Sequence, residues 1–299
     1  MKRGFTLIEL LIVLTILSVL TLVAVQSLGP LAEQAHYETT RTTLDRIEEA
    51  VMGPENLRQT DGTPIISGFV ADVGRLPLVG ANPAPGWELQ ELWNPELGVA
   101  FPYQTRLGPP VFDGEDFSHI RIACGWRGPY LRPPSADGLR DGWGKPLAYL
   151  LSGEPLTLEV AADLTMEMPS VDEPPRVMPL VTLIGSAIYD DGTPAFSDSK
   201  YEIKAVAYLV YPDPSNQHNL SVHRVAIPKP DLDDNVTPDF VFSSVAPGLR
   251  AIRVVVRHDE TLIADKTVYR HILRSGISDL QIELGTPPPV VSEEQDDSD

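Results

Sequence analysis

Apolar positions run almost unbroken from Phe5 to Leu28, FTLIELLIVLTILSVLTLVAVQSL. That supplies the roughly 20 apolar residues a helix needs to cross a bilayer, and no charge falls between Leu10 and Ala32. Beyond it the apolar residues thin to a stripe, Leu31, Ala35, Leu44, Ile47 and Val51, at roughly helical spacing among polar positions. Gly53-Pro54 is a natural stop. The pattern predicts one spine helix over 5–52, with a membrane-spanning part at about 5–28. Gly29-Pro30 interrupts it. Proline removes a backbone donor and crowds the preceding turn, so a kink, a local break or two separate helices is expected there.

The period then changes. Residues 53–165 read as one small globular domain, and its first part, 53 to about 130, carries many prolines and glycines and reads as loops and short elements. Within them Trp87–Trp93 forms a brief amphipathic turn whose packing face is Leu89, Leu92 and Trp93, and Pro146 leads into an apolar strand, Leu147–Leu151. A second alternating run follows at Leu156–Val160. Residues 166–179, with Asp172-Glu173-Pro174-Pro175, read as a stiff linker. From Val177 the chain offers short strands at 177–189, 201–211, 220–227, 239–245, 249–258, 261–269 and 277–284, with turns at Asp190–Pro194 and His258–Glu260. Seven short strands over residues 180–285 predict a β-sandwich. Residues 286–299 end in a run of acidic and polar residues too hydrophilic to bury, and read as a disordered tail.

Charge narrows the partners. Lys and Arg number 23 against 42 Asp and Glu, a formal net charge of −19. A nucleic-acid surface needs a basic stripe, so that class is excluded. The single cysteine, Cys124, cannot close an internal disulfide and reads as a small buried apolar residue. The few cations before the apolar run, Lys2 and Arg3, place the N-terminus in the cytoplasm and the rest outside it.

Glu9 is the anomaly. A carboxylate at the front of an apolar span costs about 2.5–3.5 kcal/mol on insertion scales, and such a group is a functional hypothesis by default. If the chain is cut after Gly4, Phe5 gains a free amine, which is largely cationic at neutral pH. That amine folds back poorly on its own Glu9 but reaches the Glu9 of a neighbouring copy. An ordinary signal peptide has a shorter apolar region and a small-residue cleavage site, and explains neither Glu9 nor the Gly-Phe junction.

Lys2-Arg3-Gly4-Phe5-Thr6-Leu7-Ile8-Glu9 resembles the processing signal of type IV pilins and of the pseudopilins of type II secretion. The resemblance implies a leader at 1–4, cleavage between Gly4 and Phe5 by a prepilin peptidase, methylation of the new Phe5 amine, and subunit docking through Phe5 and Glu9. Gly128-Pro129-Tyr130-Leu131 and Asp141-Gly142-Trp143-Gly144-Lys145-Pro146-Leu147 are similar to segments of the major pseudopilin, with Gly142, Lys145 and Leu147 departing from its usual residues. Trp143 between its two glycines is expected to plug a loop onto a small sheet. That family binds calcium in a loop after this segment, but the acidic loop is missing here. Asp137 and Asp141 read as turn residues, so no metal and no cofactor is expected. Gly185–Pro194 with Phe240-Val241-Phe242 and Val245–Leu249 resembles the transthyretin-like or carboxypeptidase-regulatory sandwich, a binding or spacer module.

The sequence carries no phosphate loop, Gly-x-Ser-x-Gly elbow or His-Glu-x-x-His. His218 and His223 with Asp213 are the only close metal-type trio, better read as scattered surface residues. The expected class is α+β: a long transmembrane helical spine, a small pilin-like domain and a C-terminal sandwich. The expected function is a non-enzymatic subunit of a periplasmic pseudopilus, anchored by one pass in the inner membrane. Its expected partners are itself or other pilin-like subunits, the prepilin peptidase and an inner-membrane assembly platform. A sandwich of this size suits a minor or tip subunit better than a major one. The rival readings are a type IV pilus pilin or minor pilin with an adhesive sandwich, and a tethered enzyme or binding protein using the helix only as an anchor.

Overall fold

The computed structural model describes residues 7–54, 58, 66–78, 87–94, 96–132, 138–152, 163–167, 169–170, 175–198, 202–229 and 239–286. Helix α1 spans Leu7–Met52 as a single helix with Pro30 inside it. The expected break at Gly29-Pro30 is therefore not a helix end. One missing N–H is absorbed where long helical stretches hold on both sides. The apolar stripe is buried only in its second half: Leu44, Ile47 and Val51 are fully buried, whereas Leu31 and Ala35 are exposed. The first buried residue along the helix is Thr40.

Short elements follow: α2 (Phe69–Val73), a 3-10 turn at Gln90–Leu92, and α3 (Glu96–Ala100). Strands β1 (Gln104–Leu107) and β2 (Arg121–Cys124) pair antiparallel. Strands β3 (Ala148–Ser152), β4 (Asp163–Glu167) and β5 (Arg176–Pro179) form an antiparallel sheet. The stretch 166–179 thus contributes the end of β4 and all of β5, with Met166 and Met178 buried, where a linker was expected. The single strand expected at 177–189 is two strands, β5 and β6 (Val181–Ile188), separated at Leu180. The alternating run Leu156–Val160, the linker residues 171–174 and the tail 287–299 lie outside the described residues.

The remaining strands are β6 (Val181–Ile188), β7 (Ile203–Pro212), β8 (Leu220–Ala226), β9 (Asp239–Val245), β10 (Gly248–His258), β11 (Thr261–Ile272) and β12 (Ile277–Glu283). They make a four-stranded sheet, β11-β10-β7-β8, and a three-stranded sheet, β12-β6-β9, in which β12 runs parallel to β6. The chain is α+β, an N-terminal apolar helix followed by a strand-rich region of several sheets. Gly185 on β6 shows why a side chain is excluded there: an added Cβ would lie 2.5 Å from the Phe240 ring. Asp259 and Glu260 both take positive φ at the β10–β11 turn, the requirement of a two-residue hairpin loop whose twist matches its strands.

The two central strands of the four-stranded sheet, β7 and β10, are buried on both faces. Ala205, Ala207 and Leu209 of β7 with Ile252, Val254 and Val256 of β10 face the three-stranded sheet across one apolar cluster. The intervening residues Val206, Tyr208, Val210, Ala251 and Val255 join a second cluster with Leu44, Ile47, Phe69, Phe117 and Ile122. Two-sided burial explains why AVAYLVY and AIRVVV are near-continuous apolar runs instead of alternating ones. Polar groups pin the same junction. Arg253 forks onto Asp265 at 2.8 and 2.7 Å and donates to the Asp116 carbonyl, while Arg257 reaches Glu115. Arg250 is fully buried; it donates at 2.8 Å to the carbonyls of Leu249 and Pro247, and burial pulls its guanidinium down to about 10. Arg176 and Arg274 both bind Glu48, tying the last turns of α1 to β5 and to the β11–β12 turn.

Candidate anchoring and assembly site

Every described residue from Leu7 to Ala24 is exposed, on all sides of α1. Leu7 is 81% exposed, and Leu17 and Val23 remain above half. A surface helix of a globular body buries one stripe; this one presents apolar side chains all round. Each such side chain gains about 1.5–3 kcal/mol on leaving water, so the cylinder requires a surrounding apolar medium. It is long and apolar enough to cross a membrane. Its hydroxyls do not oppose that. Thr15, Ser18 and Thr21 donate to the carbonyls four residues back at 2.7–2.8 Å, which satisfies these three hydroxyls within the helix.

Glu9 lies in the first turn of α1, where the helix dipole favours negative charge. Gly4 and Phe5 fall outside the described residues, so the structure positions one member of the Phe5–Glu9 pair. From Leu7 to Thr40 the helix rises about 50 Å at 1.5 Å per residue. The sheets and short elements are held at its far end.

The lowest seat of the body on the helix is the loop Leu139–Pro146. Gly142 donates its N–H to Thr40 at 2.7 Å, and an added Cβ would lie 2.0 Å from the His36 carbonyl, so only glycine fits. The Trp143 ring packs against His36 at 5.6 Å. Trp143 is half-buried against the helix, where a plug on a small sheet was expected. The Asp141 carboxylate accepts the N–H groups of Trp143 and Lys145 at 3.0 and 2.8 Å, as a turn residue does. Asp137 lies outside the described residues. The segment around Tyr130 is anchored differently. Tyr130 N–H donates to the Leu92 carbonyl, its hydroxyl donates to Asp72, and Arg127 forks onto the same carboxylate at 3.0 and 2.9 Å. Burial pushes the Asp72 carboxyl above its ordinary value, against the pull of Arg127 and Tyr130. Sequence reasoning had no signal for Asp72; its role exists only through contacts 55 and 58 residues away.

A groove of about 920 Å³ opens between Thr43, Arg46, Glu49 and the Arg127–Arg132 segment, and borders stretches outside the described residues. Asp213 is engaged by Ser215 and Ser221, His223 packs on Phe242 at 5.8 Å, and His218 lies beside Gln217. Among the described residues no group of three His, Cys, Asp or Glu is placed to hold a metal. Cys124 is fully buried and its thiol is pushed up to about 11 by burial. Since the thiolate is the reactive species, iodoacetamide at pH 8 should leave the native chain unlabelled and label it fully in denaturant. Labelling at equal rates in both conditions would overturn the buried assignment.

No curated protein and no solved structure matches this chain. Residues 1–25 match the family model described as the prokaryotic N-terminal methylation motif. With an all-round apolar helix continuing from that motif, the chain carries the N-terminal signal of pilin-like and pseudopilin precursors.

Proposed function

We propose that this chain is a structural subunit of an envelope filament, a pseudopilus of a type II secretion apparatus, with its body in the periplasm. One observation carries the reading. The spine presents a bare apolar cylinder with Glu9 at its head, and among the described residues none covers Leu7–Ala24. Lipid covers it before assembly, and the spines of other pilin-like subunits cover it afterwards. The Phe5 amine of one copy then neutralises Glu9 of the next. The Gly128–Leu131 and Gly142–Gly144 segments favour secretion over a pilus, because both resemble the major pseudopilin and one of them seats the body on the spine. The two facing sheets, read as a transthyretin-like sandwich, share a core with the rest of the body and serve as a binding or spacer module, which suits a minor or tip subunit.

Two measurements test this. Mass spectrometry of the mature chain should find an N-methylated Phe5 as first residue; an intact Met1, or a start near Val25, refutes the processing. A deletion strain should lose exoprotein secretion and keep surface fibres. Loss of fibres with normal secretion would instead make the chain a pilus subunit.

A further inference from the structure

The loop Leu139–Pro146 occupies a particular height on the spine. Its contacts with His36 and Thr40 are the body's first seat after the apolar run. His36 lies eight residues past Leu28, about 12 Å along the helix axis. The headgroup layer takes up about 5–7 Å of that distance on each side of a bilayer. Among the described residues the loop therefore makes the body's contact with α1 that lies nearest the membrane, within about one Debye length of its surface at physiological salt.

Its chemistry fits that position. Arg140 and Lys145 are exposed, in a chain of net charge −19, and flank a half-buried tryptophan. Arg140 also caps the loop by donating to the Gly144 carbonyl, which holds its stem along the loop. Asp141, the acid between these cations, is buried and turned onto the backbone N–H groups of Trp143 and Lys145. The facing helix adds His36 and exposed Arg41, opposed by exposed Glu33 and Glu38. Tryptophan is enriched at membrane–water interfaces, and each basic residue near an anionic surface contributes about fivefold to the docked population.

We propose that Leu139–Pro146 docks on the anionic phospholipid surface of the same membrane that α1 spans. Docking would fix the tilt of the body before assembly and be given up when the subunit leaves the bilayer. The proposal rests on the anchor reading above.

The test uses the full chain in nanodiscs of phosphatidylcholine alone and of phosphatidylcholine with phosphatidylglycerol. Both carry a trace of headgroup-spin-labelled lipid, and tryptophan quenching is read. Quenching should be stronger with phosphatidylglycerol, fall with added salt, and drop to the phosphatidylcholine level in Trp143→Phe. The Lys145→Glu variant, whose exposed side chain takes no part in the loop's hydrogen bonds above, should lose the lipid dependence with an unchanged thermal midpoint. Equal quenching in both lipids, or lipid dependence surviving in that variant, overturns the docking. Failure of the chain to co-elute with nanodiscs at all is a different result: it overturns the anchor reading, and the docking with it.

Discussion

Glu9→Leu should leave the chain expressed, processed and membrane-inserted, yet remove it from filaments. Insertion does not suffer, because the substitution deletes a group that costs about 2.5–3.5 kcal/mol to place in the span. Assembly suffers because every junction would then bury a Phe5 ammonium without its counter-charge. Breaking one side of a buried ion pair costs about 3–5 kcal/mol, and a polymer pays it at each step. Leu7–Ala24 is exposed on all sides, so the filament junction is where the substitution acts. Sheared-filament yield against total cellular chain is the measurement. Filaments formed at normal yield by Glu9→Leu would end the polymer reading and leave the helix as an anchor only.

Phe117→Ala should destabilise the strand-rich body by about 3–5 kcal/mol, the usual cost of deleting a fully buried large side chain. Phe117 is completely buried, meets Phe112 and Tyr208 edge-on at 6.2 and 5.2 Å, and lies under the Arg253 guanidinium at 4.9 Å. It joins the short elements before β2 to the face of the four-stranded sheet turned away from the three-stranded sheet. Both halves should therefore unfold together at a lower urea midpoint. Hydrogen exchange can follow β1–β2 and β6–β12 separately in the same sample. If the later strands kept their wild-type midpoint while β1–β2 lost protection, the shared core would be refuted.

Much of this architecture was legible because periodicity reports burial. The strands from β6 onward came out close to their true bounds, since each apolar run is closed by a turn whose chemistry is local, as at Asp190–Pro194 and His258–Glu260. The spine was legible for the same reason, and Glu9 stood out because a carboxylate in an apolar run is costly. What escaped was non-local. The union of the two halves depends on the outward faces of β7, β8 and β10 meeting α1 and Phe117, and a run such as AVAYLVY shows burial on two sides without naming either partner. Asp72, Arg250 and the seat of Gly142 on His36 were invisible for that reason. The β5 strand was merged with β6 in the run 177–189, because its pairing with β4 is a non-local contact. Pro30 misled for a local reason: one lost hydrogen bond is small beside the many that continue the helix around it.

The two-sided burial of β10 also settles how it can pair. Side chains along a strand alternate with a period of two, so a slip of one residue exchanges the faces. In β10 that slip would push Arg253 and Arg257 into the apolar space now holding Ile252, Val254 and Val256, and would leave Asp265, Glu115 and the Asp116 carbonyl without donors. A sheet with one wet face resists such a shift through one set of contacts. Here each face independently rejects the wrong alignment, so the long β7–β10–β11 ladder has a single admissible register.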